Sequence, residues 1–316
     1  MDFYKIRTRS KAGKIEVYPD FTVGRSNDLM VRGKSFYAIW DEAKGLWSTD
    51  EYDVQRLVDE ELREYAKKID GDVKISYMSD FSNNSWLQFR SYLSHVSDNS
   101  HQLDENLTFS NTEVKKEDYV SKRLPYALQP GDHRAYDYLI SVLYEPSERR
   151  KLEWTIGAIV AGDAKHIQKC VVLYGAAGAG KSTWLNIAQW LFDGYYTTFE
   201  SKALTGANNA FATEMFRGNP LVAIQHDGDL SHIEDNTKLN SIVSHETMTF
   251  NEKYKPGYSS RVNAFLLMGT NRPVKITDAK SGIIRRLIDV QPSGLRINPK
   301  KYQALMSQIK FELGPI

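Results

Sequence analysis

Through much of its first half the chain spaces apolar residues three and four apart. Val54, Leu57, Val58, Leu62, Tyr65 and Ile69 recur at that interval, which predicts one amphipathic helix. Ser48 to Glu51 just ahead of it has the form of a capping box. The same spacing predicts helices over Trp86 to His95, Arg134 to Tyr144 and Ser147 to Val160. The last has Ser147 as its expected N-cap behind Pro146, with Leu152, Ile156, Ile159 and Val160 on its apolar face. Tyr37 to Trp40 and Gly45 to Trp47 flank a polar turn and predict a hairpin. Residues 97–112 are polar and aperiodic, as in a linker or long loop.

From Cys170 the pattern changes to short, continuous apolar runs separated by turns and helices. Cys170 to Tyr174, Leu221 to Gln225, Asn263 to Met268 and Ile283 to Val290 are the expected strands. Continuous rather than alternating apolar strands, separated by helices, predict an α/β core with parallel neighbours and both faces covered. Lys300 to Leu313 predicts a helix that ends almost at the last residue, as it would where a core continues in a longer protein. Three regions follow: an α+β accessory region over 1–100, a linker and helical region over 101–168, and the α/β core over 169–316.

The 316 residues carry a formal net charge of +1. Any polyanion must therefore be met by a local basic patch, since there is no global positive field. Residues 1 to 36 are such a stretch, with eight Lys or Arg, among them Lys5, Arg7, Arg9, Lys11 and Lys14, against four acids. They fit a solvated or partly disordered arm, and alternatively a DNA-binding one. Cys170 is the single cysteine, which excludes an intramolecular disulfide and argues against a cysteine zinc site. The N-terminus has no apolar core of a signal peptide, and no apolar run approaches the roughly 20 residues that span a bilayer. A cytoplasmic location without membrane attachment is expected.

Gly175-Ala176-Ala177-Gly178-Ala179-Gly180-Lys181-Ser182 fits G-x-x-x-x-G-K-[ST], with a strand before it and an amphipathic helix after it. In such a P-loop, glycines let backbone N–H groups turn toward phosphate oxygens, and the helix N-terminus adds partial positive charge. Residues Gly175 to Thr183 are the expected nucleotide contacts. Lys181 can reach the β and γ phosphates of ATP, and the Ser182 hydroxyl can ligate Mg²⁺. The run Leu221 to Gln225 ends in His226-Asp227-Gly228-Asp229. Carboxylates at the end of a strand beside a P-loop can hold Mg²⁺ and polarise an attacking water. Asp227 is assigned mainly to the metal, and Asp229 to water activation or the metal.

Asn263 to Met268 exits into Gly269-Thr270-Asn271-Arg272-Pro273. Asn and Pro form ordinary turns, but an Asn at a strand tip beside phosphates can also bond the γ-phosphate and the water. Arg285 and Arg286 follow a Ser-Gly turn. They fit a surface pair, or an arginine finger reaching across a subunit boundary. Thr247 to Tyr258 alternates and turns at Pro256-Gly257, predicting a hairpin whose turn carries Lys253, Tyr254 and Lys255. Lysines there can guard a sheet edge or grip single-stranded DNA phosphates, with the tyrosine stacking on a base.

This order of phosphate loop, acidic strand, basic hairpin, Thr-Asn and Arg-Arg resembles the superfamily 3 helicases, nearest to the phage and plasmid primase-helicase branch related to the poxvirus replicative helicase-primase. The matching stretches are LYGAAGAGKSTWLNIAQWLF, LVAIQHDGDLS, LNSIVSHETMTFNEKYKP, FLLMGTNRPVKI and SGIIRRLIDV, within about Lys169 to Val290, and YAIWDEAKGLWSTD matches more weakly. The resemblance implies an AAA+-like ATPase core, a homo-hexameric ring around single-stranded or forked DNA, and 3′ to 5′ movement. It also implies that Arg285 or Arg286 acts on a neighbour's ATP, that Lys253 and Lys255 line the channel, and that a primase or polymerase is a partner. No primase carboxylate cluster is evident in residues 1 to 168. A P-loop kinase and a nucleotide-gated origin scaffold without unwinding are the competing functions. A kinase needs an acceptor pocket and an arginine-rich lid, and the Thr-Asn pair after a basic hairpin argues against it.

Overall fold

The computed structural model describes residues 1–11, 13–22, 24–80, 82–103, 107–205, 213–216, 218–229, 237–250, 258–272 and 282–316. The chain divides into two compact units. The first is Met1–Asn106 with Glu113–Arg123, and the second is Leu107–Thr112 with Leu124–Ile316.

In the first unit β1 (Tyr4–Lys11) and β2 (Lys14–Phe21) form an antiparallel hairpin, and β6 (Val73–Ile75) pairs with β2 in parallel. The basic N-terminal stretch is thus neither arm nor disorder. Val17, Tyr4 and Phe3 bury themselves, and that anchors the strands. β3 (Leu29–Arg32), β4 (Ser35–Asp41) and β5 (Leu46–Ser48) make a second antiparallel sheet, with Trp40 opposite Trp47 as the hairpin pattern predicts. α1 (Tyr52–Ala66) buries Val54, Leu57, Val58 and Leu62, while Tyr65 stays exposed and Ile69 lies beyond the helix. The expected capping box does not form. The Ser48 hydroxyl donates to Asp53 (2.6 Å), and Asp50 accepts from the Tyr52 amide (2.9 Å). α2 (Ser85–His95) packs Phe89 and Tyr92 into an aromatic cluster with Phe3 and Phe21.

β7 (Leu107–Phe109) lies inside the polar stretch expected to be a loop, and β8 (Lys122–Leu124) follows it. In the second unit α3 (Arg134–Leu143) and α4 (Pro146–Val160) come close to their predicted bounds. Pro146 is itself the first helical residue and Glu145 the cap, displacing Ser147 from that role. After the short α5 (Ala164–Ile167), the parallel sheet is built from β9 (Cys170–Tyr174), β10 (Tyr196–Thr198), β11 (Val222–Gln225), β14 (Phe265–Thr270) and β15 (Leu287–Val290), in the order β10-β11-β14-β9-β15. Antiparallel β12 (Thr247–Phe250) and β13 (Tyr258–Arg261) form the predicted hairpin. Its turn, with Lys253, Tyr254 and Lys255, lies outside the described residues. Ile283 to Val290 is not one strand, because Ile284–Arg286 is a 3₁₀ turn that β15 follows.

Strand alternation sends Val171 and Leu173 into one core, with Trp184 and Ile187 of α6 (Lys181–Leu191). Cys170 and Val172 point into a second core, with Leu239 and Ile242 of α8 (Thr237–Val243). α7 (Ser201–Thr205) sits near α8, and α9 (Pro299–Ile309) packs on α3. Both faces are covered by buried apolar side chains, as continuous apolar strands require. Among the described residues no helix is long and apolar enough to cross a membrane. Trp184 is fully buried at the centre of the first core. Trp184→Ala should therefore cost about 3–5 kcal/mol, read as a lower midpoint in urea denaturation.

Candidate functional site

A parallel sheet directs all its strand ends one way, and here the C-terminal ends of β9, β11 and β14 converge. The P-loop leaves β9 after Tyr174 and runs into α6 at Lys181. Gly180 has φ 103°, and a Cβ there would lie 3.1 Å from the Leu143 side chain of α3. Backbone conformation and close packing thus both call for glycine. Among the described residues the amides of Gly178, Gly180, Lys181 and Ser182 have no partner within the chain. They are the N–H groups that a helix N-terminus leaves for an anion.

Lys181 is buried, yet its ammonium is fully engaged. It donates to the Gly175 carbonyl (2.6 Å), the Ala176 carbonyl (2.9 Å) and Asn271 Oδ1 (2.7 Å). Burial pushes its pKa below the usual lysine range, with the Asp227 charge opposing the shift. Asn271 Nδ2 in turn donates to Asp227 Oδ1 at 3.3 Å. Three residues from three different strand ends, 44 to 90 positions apart, therefore make one chain of polar contacts. Asp229 is held instead by Arg272 (3.0 Å). Ser182 is exposed at the start of α6, while Thr183 Oγ1 bonds the Tyr302 hydroxyl of α9 at 3.2 Å.

One expectation is corrected. The acidic strand is not next to the P-loop strand, because β14 lies between β11 and β9. That insertion is what sets Asn271 between Lys181 and Asp227. β11 and β14 are locked at their ends by the Gly228 amide donating to the Gly269 carbonyl (2.7 Å), and a Cβ at position 269 would sit 2.6 Å from the His226 carbonyl oxygen.

The two arginines separate. Arg286 turns inward, donating to Asn240 (2.8 Å) with its Nε buried, and its carbonyl accepts from the Cys170 thiol. Burial pushes that thiol up to about 12. Arg285 is exposed, and its carbonyl accepts from the Lys169 ammonium. Both arginines precede β15, whose Leu287 pairs with Cys170. They therefore stand at the N-terminal edge of the sheet, roughly 16 Å along the strands from the P-loop.

Sequence reasoning missed several neighbours. Leu143, Leu295, Arg296, Ile297 and Tyr302 join the P-loop in lining a cavity of about 260 Å³. Glu200, Lys202 and Arg272 join Asp227, Asp229 and Asn271 around one of about 460 Å³. Arg272 could have been noticed as a charge next to the Asn at the strand tip. The segment after β15 carries no motif, and only its path back over the loop brings it there.

A family model described as "Family of unknown function (DUF5906)" matches residues 173–286, the span from the end of β9 to the two arginines. No curated protein matches the sequence. The fold is similar to that in "The apo structure of NrS-1 C terminal region (305-718)", with a TM-score of 0.53 at 13% identity over 90% of this chain and 65% of that one. A second form, "The A form apo structure of NrS-1 C terminal region-CTR", gives a TM-score of 0.50 at 13% identity over 88% and 62%. The chain spans less than two thirds of each. At such identity the likeness is one of fold.

The lock between β11 and β14 makes a specific prediction. Gly269→Ala must push the His226 backbone away, so it should destabilise the protein by about 1–3 kcal/mol. It should also loosen Asn271 from Lys181. Urea denaturation reads the first effect, and the side-chain amide resonance of Asn271 the second.

Proposed function

We propose that the second unit is an AAA+-like ATPase core of the superfamily 3 helicase kind, which hydrolyses ATP to move along single-stranded DNA as a ring of copies, 3′ to 5′. The observation that carries this reading is the Lys181–Asn271–Asp227 chain beside unpartnered P-loop amides. In it a phosphate-binding cation, a polar reporter and a carboxylate meet at one sheet edge. A lysine held only by carbonyl and amide oxygens can transfer its hydrogen bonds to β and γ phosphate oxygens. Asn271 Nδ2 has a second N–H that can donate to the γ-phosphate while the first still donates to Asp227, so that the presence of that phosphate is felt at the acidic strand.

The donors that would hold Mg²⁺ are oxygens, as that ion prefers: the exposed Ser182 hydroxyl at the start of α6 and the Asp227 carboxylate just past the end of β11. When bound it would offset phosphate charge. Asp227 then orients water or metal. Asp229, paired with Arg272, holds that arginine over the second cavity. Arg285, exposed at the far edge of the sheet, cannot serve its own site and is suited to a neighbour's. Arg286 is spent inside the fold. Lys253, Tyr254 and Lys255 are assigned to the DNA path.

Lys181→Ala should abolish ATP turnover, since it leaves phosphate charge uncompensated in a partly dry site. Arg285→Ala should also lose turnover while keeping wild-type stability, whereas Arg286→Ala should lower the unfolding midpoint. Mixing the Lys181→Ala and Arg285→Ala proteins should restore part of the activity, because an intact site and an intact finger then meet across a boundary. Normal turnover in Lys181→Ala refutes the assignment, and no recovery on mixing refutes the trans role.

Nucleotide affinity should also depend on pH. Phosphate binding favours the charged ammonium, so affinity is full below the lowered pKa of Lys181 and falls as pH rises through it, before an exposed lysine would titrate. Titrating ATP affinity from neutral to alkaline pH, with Lys181→Met as the flat reference, checks this.

A further inference from the structure

The basic N-terminal stretch, which the ATPase reading leaves unused, is organised by its strand. Period-two alternation puts Lys5, Arg7, Arg9 and Lys11 of β1 on one face of the sheet, roughly 7 Å apart. The register places Asp20, Tyr18, Glu16 and Lys14 of β2 opposite them, and Lys74 of β6 opposite Glu16. This face thus carries six cations against Glu16, Asp20 and Asp72, the last ion-paired to Lys14 (2.8 Å), and Asp80 lines the adjoining groove.

The acids take up only Arg7, Arg9 and Lys14 of the row. Glu16 is buried, accepting from Arg9 (2.7 Å) and Ser76 (2.7 Å), which holds its carboxyl well down at about 2. Asp20 is taken by Arg7 (3.2 Å). Among the described residues Lys5, Lys11 and Lys74 are exposed and have no ion pair. Arg9 lies over the half-buried Tyr18 ring, 4.9 Å from its centroid, so a flat cation on a flat ring faces outward.

The face opens into a groove of about 750 Å³ whose far wall is α2. There Asn84, Gln88, Ser91 and His95, spaced four, three and four apart, form one exposed stripe of polar groups. A row of free ammonium groups, a stacking surface and a parallel row of amides and hydroxyls match the three parts of a polynucleotide: phosphate, base face and base edge.

We infer that this face and groove of the first unit bind single-stranded nucleic acid. The cations track the backbone, and the α2 stripe and the Arg9–Tyr18 stack receive unpaired bases. An acidic peptide would need the cations alone and would leave the aromatic stack and the polar stripe without a role. The inference needs no nucleotide hydrolysis and stands apart from the proposed activity.

The test is fluorescence anisotropy of a labelled oligothymidylate with the whole chain, without nucleotide, over a range of salt. It compares wild type with Lys5→Glu/Lys11→Glu/Lys74→Glu and with the gentler Lys→Gln triple, whose folding is checked by circular dichroism. Affinity should drop about tenfold or more in both triples. The log–log salt slope should shrink by about 2, for three lost single-strand contacts. Tyr18→Ala should weaken binding with little change of slope. Basal ATPase should stay at the wild-type level in the triples, and Lys181→Ala should bind the oligonucleotide normally even if turnover is lost. Wild-type affinity and slope in the Lys→Gln triple would overturn the inference. So would displacement of the oligonucleotide by polyglutamate or inorganic polyphosphate at equal charge concentration, which would reduce the face to a general anion surface.

Discussion

A parallel sheet has two unlike edges, and the second unit depends on that asymmetry. Because β9, β11 and β14 run the same way, every residue that follows one of them emerges on the same side. Lys181, Asp227 and Asn271 meet there although they are far apart in sequence. The opposite edge receives whatever precedes a strand, which is why Arg285 and Arg286 stand well away from the P-loop. The direction of the strands therefore decides which groups meet at the P-loop and which stand away from it.

The meeting point is sustained by satisfying a buried cation. An ammonium removed from water costs free energy unless each of its donors finds an acceptor. Lys181 finds three in Gly175, Ala176 and Asn271. All three acceptors are neutral oxygens, which are weaker partners for an ammonium than an anion would be. The close approach of His226 and Gly269 and the amide-to-carbonyl bond from Gly228 hold two strand tips in register. That register keeps Asn271 within reach of both the lysine and Asp227.

The first unit uses alternation differently. In β1 and β2 one face is drawn inward by Val17 and Tyr4, and the other is left to Lys5, Arg7, Arg9 and Lys11. Burying Glu16 under Arg9 and Ser76 gives the sheet an internal counter-ion, which lets so many cations share one surface. The same strand geometry yields a dry core on one side and a charged face on the other.

The sequence alone determined the elements whose rules are local. The P-loop, the helices of the middle region, the strand Cys170 to Tyr174, the Trp40–Trp47 hairpin and the acids after Gln225 could all be read from spacing and turn chemistry. Helix starts were less legible, because the partner of a capping group is chosen by neighbours such as Asp53 rather than by spacing. Tertiary structure alone decided the insertion of β14 between β9 and β11, the divergence of Arg285 from Arg286, the return of the segment around Arg296 over the P-loop, and the folding of a basic stretch into a strand. Period and propensity act over a few residues. Strand order, and whether an arginine turns inward to Asn240 or out to solvent, depend on contacts between residues tens to hundreds of positions apart, which local pattern does not encode.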